Sequence, residues 1–152
     1  MNELFRASVK IAFIGGGNMG EAMLSAILDR RLSQPQAISV SDIAEVRRQH
    51  LEQKYGVAVM SSNRQAVGRG DVVVLAIKPQ NLVEVMAELN SRLTQKQLVL
   101  SIIAGARIDT LCRGLSHDCV VRAMPNTQAL FLVLWAKRFM FMMRNILIWL
   151  QR

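Results

Sequence analysis

The sequence predicts an α/β domain, a doubly wound and mostly parallel sheet followed by an apolar, helical C-terminal tail. Three observations carry this. Short apolar runs alternate with helical patterns from residue 9 to residue 123, the rhythm of a parallel sheet with crossover helices. A glycine-rich turn, Gly15-Gly16-Gly17-Asn18-Met19-Gly20, joins the first run to the first helical pattern. The run Asp71-Val72-Val73-Val74-Leu75-Ala76-Ile77 is continuous rather than alternating, as a strand covered on both faces requires.

Taken in order, residues 9–14 form the first strand and enter the glycine turn. A helix beginning near Asn18 continues through residues 21–32, where Ala22, Leu24, Ala26, Ile27 and Leu28 are dense enough to pack on a sheet. Residues 37–41 make a short second strand, and residues 44–55 a polar helix stopped by Gly56. Residues 57–59 are a third strand, after which Ser61 or Ser62 caps a short helix at 63–67. Residues 71–77 are the central strand. Residues 81–93 follow as an amphipathic helix with Leu82, Val85, Met86 and Leu89 on one face. Residues 98–103 are a strand, 108–115 a short helix and 119–123 the last strand. On such sheets ligands sit at the carboxyl ends of strands, which here are residues 15–20, 41–42, 76–79, 104–105 and 124–126.

Composition narrows the function without choosing it. The 152 residues suffice for one domain with a core, and a 51% hydrophobic, 20% charged chain is not a disordered one. The net charge of +8 divides evenly. Residues 1–125 carry 15 Lys and Arg against 11 Asp and Glu, and residues 126–152 carry four basic residues and no acid. The basic residues of the body are scattered without interleaved aromatics, which argues against nucleic-acid binding. Cys112 and Cys119 lack metal-ligand spacing and read as ordinary thiols of a reducing compartment. Residues 1–8 include Glu3 and no long apolar stretch, so no secretory signal is expected and a cytoplasmic location is. His50 and His117 are expected at the surface. No Ser-His-Asp, Cys-His or paired-carboxylate arrangement is visible.

The glycine turn is where chemistry enters. In a strand-turn-helix context, Gly15 permits the tight turn, Gly17 lets backbone approach a pyrophosphate, and Gly20 lets helix and strand pack closely. The helix that follows aims free N–H groups and its positive dipole end at the phosphates. The pattern predicts a Rossmann-type dinucleotide site. Asp42, 22 residues after Gly20, stands where an acid would bond the ribose 2′-hydroxyl of NAD. Ser41 with Arg47 and Arg48 could instead receive a 2′-phosphate, or the two arginines could form a solvated helix face.

Four segments in order, FIGGGNMGEA, LAIKPQ, SIIAG and RAMPNT, together resemble the pyrroline-5-carboxylate reductase family over about residues 9–127. The resemblance implies a Rossmann domain for residues 1–127 that binds NADP, with NAD possible, and reduces the cyclic imine of 1-pyrroline-5-carboxylate to proline. Carried over by position, Ile14, Gly15, Gly16, Gly17, Asn18, Met19 and Gly20 would hold the pyrophosphate. Ser41 would lie beside the adenosine ribose, and Asn63 near both cofactor and substrate. Ala76, Ile77, Lys78 and Pro79 would form the loop under the dinucleotide, and Ile102, Ile103 and Ala104 the nicotinamide end. No catalytic residue is assigned, because the family's substrate pocket lies mostly in a helical dimerisation domain that follows this one.

After Thr127 the pattern departs. Residues 128–152 hold both Trp, three of five Phe and three of nine Met, and no SGSGPA-like segment is present in the sequence. This tail, replacing the family's dimerising domain, is expected to be an out-of-frame translation product. A Gln128 codon preceded by C would read as the expected proline codon in a shifted frame, which translation of the downstream DNA tests. On a helix, Lys137, Arg138, Arg144, Asn145, Gln151 and Arg152 share one narrow sector, so the tail could lie on a membrane surface or in a partner groove. Chance periodicity in a shifted frame is the preferred account. Two functions stay open beside the reductase: an inactive nucleotide-binding remnant, and another small NAD(P)-dependent dehydrogenase of the same fold.

Overall fold

The structure, a computed structural model, describes residues 9–123. The rim segment 124–126, the boundary after residue 127 and the tail lie outside the described residues. Six strands, β1 (Ile11–Ile14), β2 (Ile38–Ser41), β3 (Ala58–Met60), β4 (Val72–Leu75), β5 (Leu98–Ser101) and β6 (Val120–Arg122), form one sheet in the order β3-β2-β1-β4-β5-β6. Every neighbouring pair is parallel, with Ile14 in register with Ser41 on one side and Leu75 on the other. This is the doubly wound order, with its switch point between β1 and β4.

The side-chain alternation of the strands separates two cores. One face collects Ile11, Phe13, Val72, Val74 and Leu100 beneath Met23, Leu24 and Ile27 of α1 (Asn18–Asp29) and Leu51 of α2 (Glu45–Tyr55). The other collects Ala12, Ile14, Val73, Leu75 and Val99 beneath α3 (Asn63–Val67), α4 (Leu82–Leu89) and α5 (Ile108–Leu115). Leu51 is the one fully buried residue of α2, with Tyr55 packed beside it on the core, so this polar helix depends on two apolar anchors and on ion pairs.

Several boundaries differ from the expectation, each for a local reason. The central strand ends at Leu75, because Lys78-Pro79 opens a 3-10 turn at Pro79–Asn81 and Ala76 and Ile77 leave the sheet to line a cleft. The helix expected over 81–93 stops at Leu89, although Leu93 keeps the apolar period and packs on the core from outside it. The first helix ends at Asp29, and Arg31 turns the chain with φ +54°. Ser62, rather than Ser61, caps α3, its hydroxyl accepting Gln65 N–H at 3.3 Å. Gly56 ends α2 at φ +68°.

His117 corrects the surface expectation. It is 6% exposed, with Nε2 2.8 Å from the Gln97 carbonyl oxygen. Buried Gln97 donates in turn to Val67 O at 2.8 Å and Gly70 O at 2.6 Å, and accepts Thr94 N–H at 2.8 Å. This polar cluster satisfies loop backbone at the end of the sheet away from the strand carboxyl termini.

Candidate functional site

The strand carboxyl ends are where β1 and β4 send their helices to opposite faces, leaving a crevice. Gly15 sits there at φ +98°, and a Cβ on it would lie 2.6 Å from the Ala76 carbonyl oxygen. Ala76 N–H donating to Ile14 O at 2.8 Å ties the two loops further, and Gly15 N–H donating to Ser41 O at 2.9 Å ties the turn to the end of β2. A Cβ on Gly20 would lie 2.6 Å from Gly15 O, so α1 rests directly on the turn.

Gly17 is different. Its backbone is ordinary at φ −70°, it is exposed, and a Cβ there would meet nothing within 4 Å. Packing within the described residues does not demand glycine at this position, but the close approach of a ligand would. The N–H groups of Gly17, Asn18, Met19 and Gly20 have no acceptor among the described residues, and the first turn closes only with Glu21 N–H on Gly17 O at 2.8 Å. Unpaired donors converging at the start of a twelve-residue helix suit an anion such as a pyrophosphate.

Two adjoining clefts open on this turn. The larger, about 500 Å³, is bordered by Gly15, Gly17, Asn63, Ala76, Ile77 and Lys78, with Asp42, Ile43 and Arg47 at the β2 end and Glu84 and Glu88 of α4 opposite. The second, about 380 Å³, shares Gly17, Ala76, Ile77 and Lys78 with it and adds Asn18, Met19, Pro79, Ile102, Ile103 and Ala104. Both volumes lie in the range of small-molecule sites, about 300–1,000 Å³. Twelve of the sixteen residues assigned by sequence thus border one continuous crevice. The others, Ile14, Gly16, Gly20 and Ser41, are buried beneath it.

Ser41 points inward. Its hydroxyl lies 2.7 Å from Asn63 Oδ1, and Asn63 Nδ2 donates to Glu88 Oε2 at 2.8 Å. Asn63 is therefore oriented from both ends, with Ser41 fixing its carbonyl and Glu88 its amine.

Sequence reasoning missed Glu21, whose partners lie 26 to 34 residues away on α2. Its Oε2 accepts Arg47 at 2.7 Å, while Oε1 lies 2.9 Å from His50 Nε2 and accepts Lys54 at 2.9 Å and Tyr55 at 3.0 Å. Burial alone would raise this carboxyl, but hydrogen bonds from His50, Lys54, Arg47 and Tyr55 outweigh it and hold the group well below the usual carboxylate range. A carboxyl depressed in the folded state stabilises fully above its unfolded value, here 4.5, and that contribution is lost as pH falls below it. Glu21→Gln is expected to lower stability at neutral pH by about 1–3 kcal/mol and to flatten the acid-side loss. Urea midpoints at neutral pH and about pH 4 check both expectations; an unchanged acid slope would contradict them.

With this geometry in hand, comparison with known proteins is specific. A sequence model of the family described as NADP oxidoreductase, coenzyme F420-dependent, matches residues 10–105. The pyrroline-5-carboxylate reductase of Synechocystis sp. is 36% identical over 122 residues, 80% of this chain and 45% of that protein. The structure of a pyrroline-5-carboxylate reductase from Coxiella burnetii matches at TM-score 0.74 and 34% identity, covering 79% of this chain and 45% of that one. The Plasmodium falciparum pyrroline carboxylate reductase solved with NADP bound matches at TM-score 0.67 and 25% identity, over 78% of this chain and 43% of that one. This chain thus spans about half the length of the relatives it matches. It belongs to the NADP oxidoreductase, coenzyme F420-dependent, family, and its sheet is the Rossmann-like fold of the N-terminal domain of pyrroline-5-carboxylate reductases.

Proposed function

We propose that this chain is the dinucleotide-binding part of a pyrroline-5-carboxylate reductase and serves the reduction of 1-pyrroline-5-carboxylate to proline in the cytoplasm. The observation that carries the reading is the unpaired N–H cluster at the start of α1, open to the crevice at Gly17, Asn18 and Met19 and set at the β1/β4 switch point within a chain similar to these reductases.

The residues present fit a nicotinamide dinucleotide. Backbone donors at the start of α1, from Gly17 to Met19, would hold the pyrophosphate, Asp42 and Ile43 would lie at the adenosine end, and Ile102, Ile103 and Ala104, which line the second cleft, at the nicotinamide end. When bound, the reduced nicotinamide supplies the hydride that the imine carbon accepts. What the chain contributes is position. Gly15 and Gly20 set the turn, Ala76 and Ile77 line both clefts, and Asn63, held by Ser41 and Glu88, presents a fixed amide to the same crevice. Holding reactants in one geometry accounts for much of the barrier lowering open to such a transfer. At the ribose 2′-position, where NADP and NAD differ, Arg47 and Arg48 speak for NADP, the sequence-based expectation, and Asp42 for NAD.

Proline formation from 1-pyrroline-5-carboxylate and reduced dinucleotide by the purified full chain tests the reading, with host reductase excluded. Turnover that vanishes in Gly17→Ala supports it. Dinucleotide binding without turnover favours a nucleotide-binding role without catalysis.

A further inference from the structure

The groups at the carboxyl end of β2 sort into those facing the crevice and those committed to the protein. Asp42 faces it. Its Oδ2 accepts Gly16 N–H and its Oδ1 accepts Ala44 N–H, both at 2.8 Å, which fixes the carboxylate beside the glycine turn. Each oxygen keeps a lone pair, so the pair matches the two O–H donors of an unmodified ribose diol. Beside it Ile43 borders the same crevice and is 87% exposed, the most exposed of the large apolar side chains described. An isoleucine held out at a ligand rim offers an apolar surface to a flat ring such as adenine.

The arginines that would receive a 2′-phosphate are hydrogen-bonded to the protein, although Arg47 also borders the crevice. Arg47 donates through Nε to Gly16 O at 2.8 Å and through its NH2 nitrogen to Glu21 Oε2 at 2.7 Å. Glu21 is locked in turn by His50, Lys54 and Tyr55, so Arg47 already has a fixed counter-charge. Arg48 donates to the carbonyl oxygens of Asp42 at 2.7 Å and Ile43 at 3.0 Å, bracing the loop that carries the acid. A 2′-phosphate brought to this place would meet a carboxylate first, and like charges in a cleft repel strongly.

We propose that Asp42 and Ile43 make this a site for NAD(H) in preference to NADP(H), with Asp42 accepting the ribose 2′- and 3′-hydroxyls and Ile43 covering one face of the adenine. The proposal rests on the dinucleotide site argued above and reverses the NADP expectation that the family resemblance implied. Fluorescence titration of the full chain with NADH and with NADPH tests it. NADH is expected to bind tighter by on the order of tenfold or more. Asp42→Asn keeps an acceptor for Gly16 N–H but removes the charge, and should bring the two affinities close together, chiefly by improving NADPH. Ile43→Ser should weaken both dinucleotides by a similar factor and leave their ratio unchanged. NADPH binding as tightly as NADH, or an Asp42→Asn protein with an unaltered ratio at unaltered melting temperature, overturns the preference while leaving the dinucleotide site standing. Binding of neither overturns both.

Discussion

Gly15→Ala is expected to cost about 2–6 kcal/mol of folding stability, from backbone strain and overpacking together. Gly15 holds φ +98°, which alanine adopts only with strain, and the added methyl would be driven into the Ala76 carbonyl 2.6 Å away. Neither side can yield cheaply. Gly15 is pinned by its bond to Ser41 O, and Ala76 by its bond to Ile14 O, so relief would pull β1 from β4 at the centre of the sheet. A loss near the middle of that range is a large part of the about 5–15 kcal/mol that holds most domains folded. Thermal unfolding followed by circular dichroism reads it as a fall of about 10 °C or more. A melting temperature within a degree or two of the parent would show that the turn is not built as described.

Gly17→Ala, two residues on, is expected to do the reverse. The methyl meets no described atom within 4 Å and the backbone is already ordinary, so stability should stay within about 0.5 kcal/mol of the parent. The methyl would instead occupy the space where backbone and pyrophosphate must approach. Overpacking of this kind costs about 1–3 kcal/mol, or roughly 10- to 100-fold in dinucleotide affinity. Titration with reduced dinucleotide beside a melting curve separates the two effects. Parent-like affinity in a folded Gly17→Ala protein would remove the reason for glycine at this position.

The contrast shows what the sequence could and could not disclose. The sheet was legible because its information is local: Val72-Val73-Val74-Leu75 is too apolar and too β-branched for anything but a central strand, and the glycine spacing names its own turn. Lys78 came from its place at a strand's carboxyl end and Ile103 through resemblance, both of which give place in the chain but not the direction of a side chain. Ser41 shows the limit, since its hydroxyl faces Asn63 within the fold. Ala76 and Ile77 were read as strand because apolar residues that line a cleft look the same in sequence as apolar residues that fill a sheet. Glu21 and His117 were misjudged or missed for one reason: their partners, on α2 and at Gln97, are brought near only by the fold. Ion-pair clusters between elements leave no periodic mark. Arg47 is the instructive case, a residue whose type suggested a phosphate ligand and whose hydrogen bonds hold Gly16 and Glu21 instead.

The start of α1 is, on the reading proposed above, the pyrophosphate-binding end of a nicotinamide dinucleotide site. Amide hydrogen exchange of the full chain with and without saturating NADH locates binding directly. The N–H groups of Gly17, Asn18, Met19 and Gly20 lack acceptors among the described residues and should exchange quickly without ligand, then slow markedly when NADH supplies one. Protection confined to other segments, or no protection in a folded chain, would contradict the account.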